Sequence, residues 1–223
     1  MIYQPIGLPL LFVLLLVILA LLVFLIEVRV LSYAYRKIGV SPRWVFAVLV
    51  LTLIGSQINI PLYGKSVPRV IPPREIERFG RVYIVPPAPA RGTTVVAINV
   101  GGALIPILIS LYLFIRSRMP VRMLVAVAIV AVIVNRLAQV VPGVGIAVPM
   151  FVPPLAAAAV GFVLAPRRAP PLAYVAGSMG ALIGADLWNL TKIEALGAPI
   201  VSIGGAGTFD GVFLTGIIAG LIV

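Results

Sequence analysis

The sequence predicts an all-α protein, a polytopic transmembrane bundle of about seven spans (roughly six to eight) with one small extramembrane element. Three observations lead there. The 223-residue chain is 62% hydrophobic and only 10% charged, with a mean hydropathy of +1.21, a surface that a water-soluble domain of this size cannot present. Several apolar runs approach or exceed the ~20 residues that cross ~30 Å of hydrocarbon as helix. The period-2 alternation of an outer-membrane barrel is missing.

Residues 6–30 supply the first span, which lacks a basic leader and an A-x-A-like cleavage site and is too long for a signal peptide, so it is expected to stay attached. Glu27 and Arg29 close it, and a short basic loop with Arg36, Lys37 and Arg43 follows. Span two, residues 44–63, opens on an interfacial tryptophan and turns polar in GSQINIP, where Ser56 and Asn59 would share a helix face and Pro61 would end or kink the helix. Residues 65–94 are dense in proline and arginine and form the one sizeable extramembrane loop of an otherwise single integral domain, 1–223. Its β-formers at 67–71 and 81–85 are compatible with a small hairpin. Span three (95–115) begins with AINVGGALIP. Span four (122–141) ends in VNRLAQ, span five covers 150–165, span six 172–190 and span seven 208–223. The connection 193–207 is too apolar for an ordinary solvated loop and is a candidate re-entrant segment.

Charge sets orientation and excludes chemistry. The formal charge is +11, but the 17 Lys and Arg lie mostly in loops flanking the spans, where they fix topology and meet anionic lipid; nucleic acid is not an expected partner. The short loops that carry Arg36, Lys37, Arg43, Arg116, Arg118, Arg122, Arg167 and Arg168 alternate with an N-terminal tail and a loop four-five that carry no basic residue and a loop six-seven that carries only Lys192. The 65–94 loop opposes this with several arginines but, as an expected folded element, counts less than short loops do. The positive-inside rule therefore places the N-terminus outside the cell membrane and the C-terminus in the cytoplasm. Without histidine or cysteine, disulfides, thiolate nucleophiles, imidazole metal ligands and a Ser-His-Asp triad are impossible, and neither a metal nor a cofactor is expected. Arginine far outnumbers lysine, a bias that fits a thermophile.

The chain has only two aspartates, Asp186 and Asp210, each at the edge of a hydrophobic span, and a carboxylate at membrane depth is a functional-site hypothesis by default. In the predicted topology the polar ends of spans two, three, four, six and seven all fall on the non-cytoplasmic side. Asp186 and Asp210 are thus candidate catalytic or carrier groups, with Arg136, Asn59, Asn99, Asn135, Gln139 and Asn189 as candidate substrate-binding residues around them. A lone arginine in hydrocarbon costs at least about 2.5 kcal/mol, so Arg136 is expected to pair with an aspartate. The patterns Gly180-x-x-x-Gly184, Gly207-x-x-x-Gly211 and Gly216-x-x-x-Gly220 allow close helix approach, within the chain or in a homo-oligomer.

The combination of INVGGALIP, GADLWNL and SIGGAGTFDGVFLTGI resembles an uncharacterised family of archaeal and bacterial multi-pass membrane proteins, over most of spans two to seven. That resemblance implies no activity. A weaker likeness is to intramembrane aspartyl proteases of the Gly-x-Gly-Asp type. Here Gly207-Thr208-Phe209-Asp210 keeps the first glycine and loses the second, Asp186 lacks the preceding tyrosine, and no Pro-Ala-Leu element follows.

Three functions are open at this point: transport or permeation of a small solute or ion, intramembrane aspartyl proteolysis, and a structural or assembly role. Orientation is directly testable. A reporter that is active only in the cytoplasm should give signal when fused at Val223, and one active only outside should be silent there.

Overall fold

The first described element is a long helix whose first half is exposed. In the computed structural model, which describes residues 7–71, 74–78, 81–85, 88–141, 145–194, 200–205 and 211–223, helix α1 spans Gly7–Ile38. Its leucines, valines and phenylalanines from Phe12 to Ile26 are about half exposed on every side; only Ala34, Tyr35 and Ile38 in its last turns are buried. Gly39, at φ +104°, takes the left-handed conformation that ends the helix, and Val40 N–H closes back onto Tyr35 O at 2.9 Å.

Helix α2, Pro42–Gly55, is only 14 residues long. The expected second span does not reach residue 63, because Ile60 precedes Pro61 and is pushed into extended backbone. Strand β1 (Asn59–Ile71) starts there instead, followed by β2 (Arg74–Arg78), β3 (Arg81–Val85) and β4 (Ala88–Asn99). β1 and β4 pair antiparallel along their length, with an irregularity between Pro61 and Tyr63 where proline brings no N–H to the ladder. β2 and β3 form a second hairpin. The expected all-α architecture is therefore corrected: the fold is mostly helical with a small sheet, and the strands take in the ends expected of spans two and three. The β-formers at 67–71 pair with 88–92, not with 81–85.

From Asn99 the chain enters a π-helical turn, Val100–Leu104, and continues as α3, Ile105–Ser117. Helix α4 is Pro120–Leu137, and a small hairpin of β5 (Gln139–Val141) and β6 (Gly145–Ala147) follows. Helix α5 is Val152–Leu164; after the short turn Pro166–Arg168 comes α6, Ala169–Ala181, which runs into a second π-helical turn, Leu182–Leu187. The short helix α7 (Leu190–Glu194), strand β7 (Ile200–Ile203) and α8 (Gly211–Ile222) complete the fold. β7 adds to the sheet parallel to β4, giving the order β1-β4-β7.

Helix α6 is the hub. It packs against α1, α3, α4, α5 and α8, and 10 of its 13 residues are buried. Its sequence, APPLAYVAGSMGA, has small residues around most of its circumference, so neighbours close in from several directions. The glycine patterns serve this packing: a Cβ on Gly184 would strike the backbone carbonyl of Ala131 in α4, and one on Gly216 would strike Ser178 Oγ. Lys37 Nζ ties α1 to the end of α8 by donating to Leu221 O at 2.8 Å. Outside the core the surface is apolar, with Phe46, Ile115, Val121 and Val163 each at least 70% exposed. Three helical stretches, Phe12–Ile38, Val100–Ser117 and Pro120–Leu137, are long and apolar enough to cross a membrane; α2, α5 and α8 are shorter apolar helices.

Close approach at Gly184 yields a contrast. Gly184→Leu should destabilise by about 3 kcal/mol through overpacking against Ala131, lowering Tm in detergent by roughly 6–12 °C. Gly211→Ala, with nothing within 4 Å of the added Cβ, should leave Tm nearly unchanged.

Candidate functional site

Asn99 joins strand to helix at a crowded junction. It sits at the end of β4 directly opposite Asn59 of β1 and is buried. Its Oδ1 accepts from Gly102 N–H at 2.7 Å, capping the π-helical turn, while its Nδ2 donates to Ser56 O at 2.8 Å and Asn59 Oδ1 at 3.1 Å. Ser202 Oγ of β7 donates to the same Asn59 oxygen at 2.6 Å. One side chain thus satisfies backbone groups at the end of α2 and at the start of the turn into α3, where ladder and helix bonds both stop. The segments are nearly in contact: a Cβ on Gly101 would strike Thr52 O and Ser56 N.

Beyond Ser202, β7 ends in Gly204, at φ +85°, where an added Cβ would lie 2.5 Å from Ala103 Cβ. Only glycine fits this turn. The turn aims the Gly204 N–H at Asp186, whose Oδ2 accepts it at 2.7 Å.

Asp186 belongs to the second π-helical turn, and the register of that turn explains its neighbours. Trp188 N–H bonds to Ile183 O at 3.0 Å rather than to Gly184 O, so the Gly184 carbonyl loses its α-helical donor. Two side-chain amides replace it: Asn135 Nδ2 of α4 at 3.1 Å and Asn189 Nδ2 at 3.2 Å, the latter also donating to Ala185 O at 3.0 Å. Lys192 Nζ then donates to Asn189 Oδ1 at 3.0 Å. A cavity of about 250 Å³ opens beside this turn, lined by Ala185, Asp186, Val134, Pro153, Val212 and Thr215 among others, and Asp186 is the one ionisable group among its described lining residues.

The structure therefore joins Asn59, Asn99, Asn135, Asp186 and Asn189 into two hydrogen-bonded groups, linked where β7 and Gly204 meet Asp186. Arg136 and Gln139 stay outside. Arg136, in the last turn of α4, is exposed at a helix C-terminus, where the dipole favours a cation, and among the described residues no ion pair connects it to Asp186; the other expected partner, Asp210, lies outside the described residues. Gln139 is exposed in β5. Asp210 and Thr208 lie outside the described residues, as do 195–199 and 206–207 of the candidate re-entrant segment. Its described parts are the end of α7, 193–194, and the strand and turn of 200–205, with β7 paired to β4. Sequence reasoning overlooked Ser56, Ser202 and Gly204. The β-branched IVSI ahead of a glycine pair is the signal that marks the last two.

All three motifs that distinguish the sequence, INVGGALIP, GADLWNL and SIGG, meet at this junction. The model of the family described as "Protein of unknown function (DUF1614)" matches residues 53–222. The chain belongs to that family. Comparison with curated proteins finds no match, and neither does comparison with solved structures. The DUF1614 match begins just ahead of Ser56, so it contains the whole junction and leaves out α1 and most of α2.

The junction separates two kinds of polar residue. Asn99→Ala would leave Ser56 O and Gly102 N–H buried without that partner and should cost about 2–4 kcal/mol. Arg136→Ala, at an exposed position, should change stability by no more than about 0.5 kcal/mol. Equilibrium unfolding in detergent measures both.

Proposed function

We propose that this DUF1614 protein is a multi-pass integral membrane protein in which Asp186 binds and releases a proton or small cation during transport of a small solute or ion. The membrane reading draws on the three helical stretches of spanning length and the apolar exterior. On this reading the shorter helices and α6 with its π-helical turn complete a bundle of about seven spans. The C-terminus faces the cytoplasm and the polar junction faces outward.

The observation that carries the transport reading is Asp186 itself: a carboxylate on a π-helical break, lining a cavity of about 250 Å³, with no cation paired to it among the described residues. A negative group without a fixed positive partner favours a cationic ligand over an anionic one. Broken helices with free backbone groups around a cavity are parts that transporters use. The Gly204 N–H engages Oδ2, so among the described residues Oδ1 keeps its acceptor sites for a ligand.

One observation favours aspartyl proteolysis as a second reading. Gly211, the residue after Asp210, lines the same cavity as Asp186. Two carboxyls sharing that cavity would be the parts of a catalytic dyad.

The test is reconstitution into proteoliposomes. Asp186→Asn keeps shape and the acceptor for Gly204 N–H, so Tm should hold while proton- or cation-driven uptake falls at least tenfold. Unchanged uptake by the variant would reject Asp186 as the carrier. Cleavage of a reporter peptide that needs both aspartates would select the protease instead.

A further inference from the structure

At the end of α4 opposite Asn135, four arginines surround an open cavity of about 840 Å³: Arg118 from the α3–α4 connection, Arg122 from the first turn of α4, and Arg167 and Arg168 from the α5–α6 connection. The two connections are tied together, with Arg168 Nη1 donating to Ser117 O at 3.3 Å. The left-handed backbone of Arg118, φ +50°, turns the chain sharply between α3 and α4. No Asp or Glu occurs anywhere between Glu77 and Asp186, so neither connection carries its own counter-charge. Among the described residues, no ion pair neutralises any of the four. Four like charges around one opening raise the local concentration of anions.

A second space adjoins it along the same helix. An apolar groove of about 370 Å³ runs between α3, α4 and α6, walled by Leu111, Phe114, Leu124, Val127, Val175 and Met179. Arg122 lines the basic cavity, and the very next residues of α4, Met123 and Leu124, line the groove. The two spaces thus open within one turn of α4, or about 5 Å of axial rise. A soluble phosphate would use only the first. The geometry points to an anionic phospholipid as the occupant, with its phosphate held by Arg118, Arg122, Arg167 and Arg168 and one acyl chain laid in the α3–α4–α6 groove. Arginine suits the phosphate because its planar fork donates two parallel hydrogen bonds. This site rests on the membrane reading above and specifies a lipid partner at the cytoplasmic end.

Native mass spectrometry of the full chain in detergent tests it, with phosphatidylglycerol, phosphatidylcholine and inorganic diphosphate as separate probes. Each arginine beside an anionic lipid contributes about a factor of five. Phosphatidylglycerol should therefore bind at least about tenfold more tightly than phosphatidylcholine. The combination R118Q/R122Q/R167Q/R168Q should erase that preference, and Val127→Trp, which fills the groove, should weaken phosphatidylglycerol while leaving diphosphate unaffected. Equal binding of the two lipids, or a preference that survives the arginine substitutions, would overturn the site. Diphosphate binding as tight as phosphatidylglycerol, with no effect of Val127→Trp, would identify a soluble anion and overturn the lipid. A chain that stays monodisperse without detergent would instead remove the membrane reading itself, a distinguishable failure.

Discussion

Close approach to helix α6 is the constraint on which the rest of the helical body depends. Lipid tails are as apolar as leucine, so burying hydrophobic surface does little to hold helices together inside a bilayer; packing contact and hydrogen bonds must do it. A helix made largely of Ala, Gly, Ser and Pro leaves room for backbone-to-backbone contact, and α6 accordingly receives α1, α3, α4, α5 and α8. Gly177 and Gly180 of α6 and Gly216 and Gly220 of α8 sit where backbone or side chains of the neighbour would otherwise collide. The large apolar side chains point the other way, outward, as they do along α1.

That close packing creates a polar problem which the asparagines solve. Where α6 passes Ala131 it shifts to π register, and the shift frees the Gly184 carbonyl at the tightest point of the α4 contact. Asn135 and Asn189 supply the missing donors from two different elements, so the break in the helix is also a cross-link between α4 and the end of α6. Asn99 plays the same part at the other π-helical turn, binding α2, β1 and the start of α3. A small apolar cluster of Val96, Ala103, Ala181, Leu182, Ile203 and Val212 fills the space between the two turns. Asp186 lies between these supports, which is why a carboxylate can be held in place there by one backbone N–H.

The helices were legible from the sequence because long apolar runs bounded by arginine admit one reading: α1, α4 and α5 fall within a few residues of the spans expected for them, although α1 continues to Ile38. The strands were less legible. Val, Ile and Tyr favour both a bilayer and a sheet, so VVAIN at the end of β4 reads equally well as the start of a span, and hydropathy cannot separate them. Grouping polar residues by the end of the bundle at which they occur did bring Asn59, Asn99, Asn135, Asp186 and Asn189 into one neighbourhood. It could not tell which way each side chain points around its helix. Asn135 and Arg136 are adjacent, and successive residues differ by about 100° in direction, so one reaches Gly184 while the other faces out. The pairing of Arg136 with Asp186 was expected from its being trapped in hydrocarbon; one residue from the helix end, its long side chain has an exit.

The two ends of α4 finally show how charge is divided over the molecule. Arg122 in its first turn and Asn135 near its last are 13 residues apart in sequence, or about 20 Å along a helix axis. Between them α4 offers only Met, Leu, Val, Ala and Ile. Four arginines surround one end, and the partly buried Asp186 carboxylate with its neutral amides occupies the other, where Arg136 is exposed. Such a separation costs nothing if each end meets its own polar surroundings across an apolar slab of that thickness. It would be unfavourable in a water-soluble fold, where the same apolar flanks would face solvent. In the membrane reading proposed above, the basic end would meet anionic headgroups. At the amide-rich end, where the second π-helical turn meets the edge of the sheet, Lys192 is held on Asn189 Oδ1 and Arg136 is exposed, so what distinguishes Asp186 is that among the described residues no cation is paired with its carboxylate, which instead accepts the Gly204 N–H.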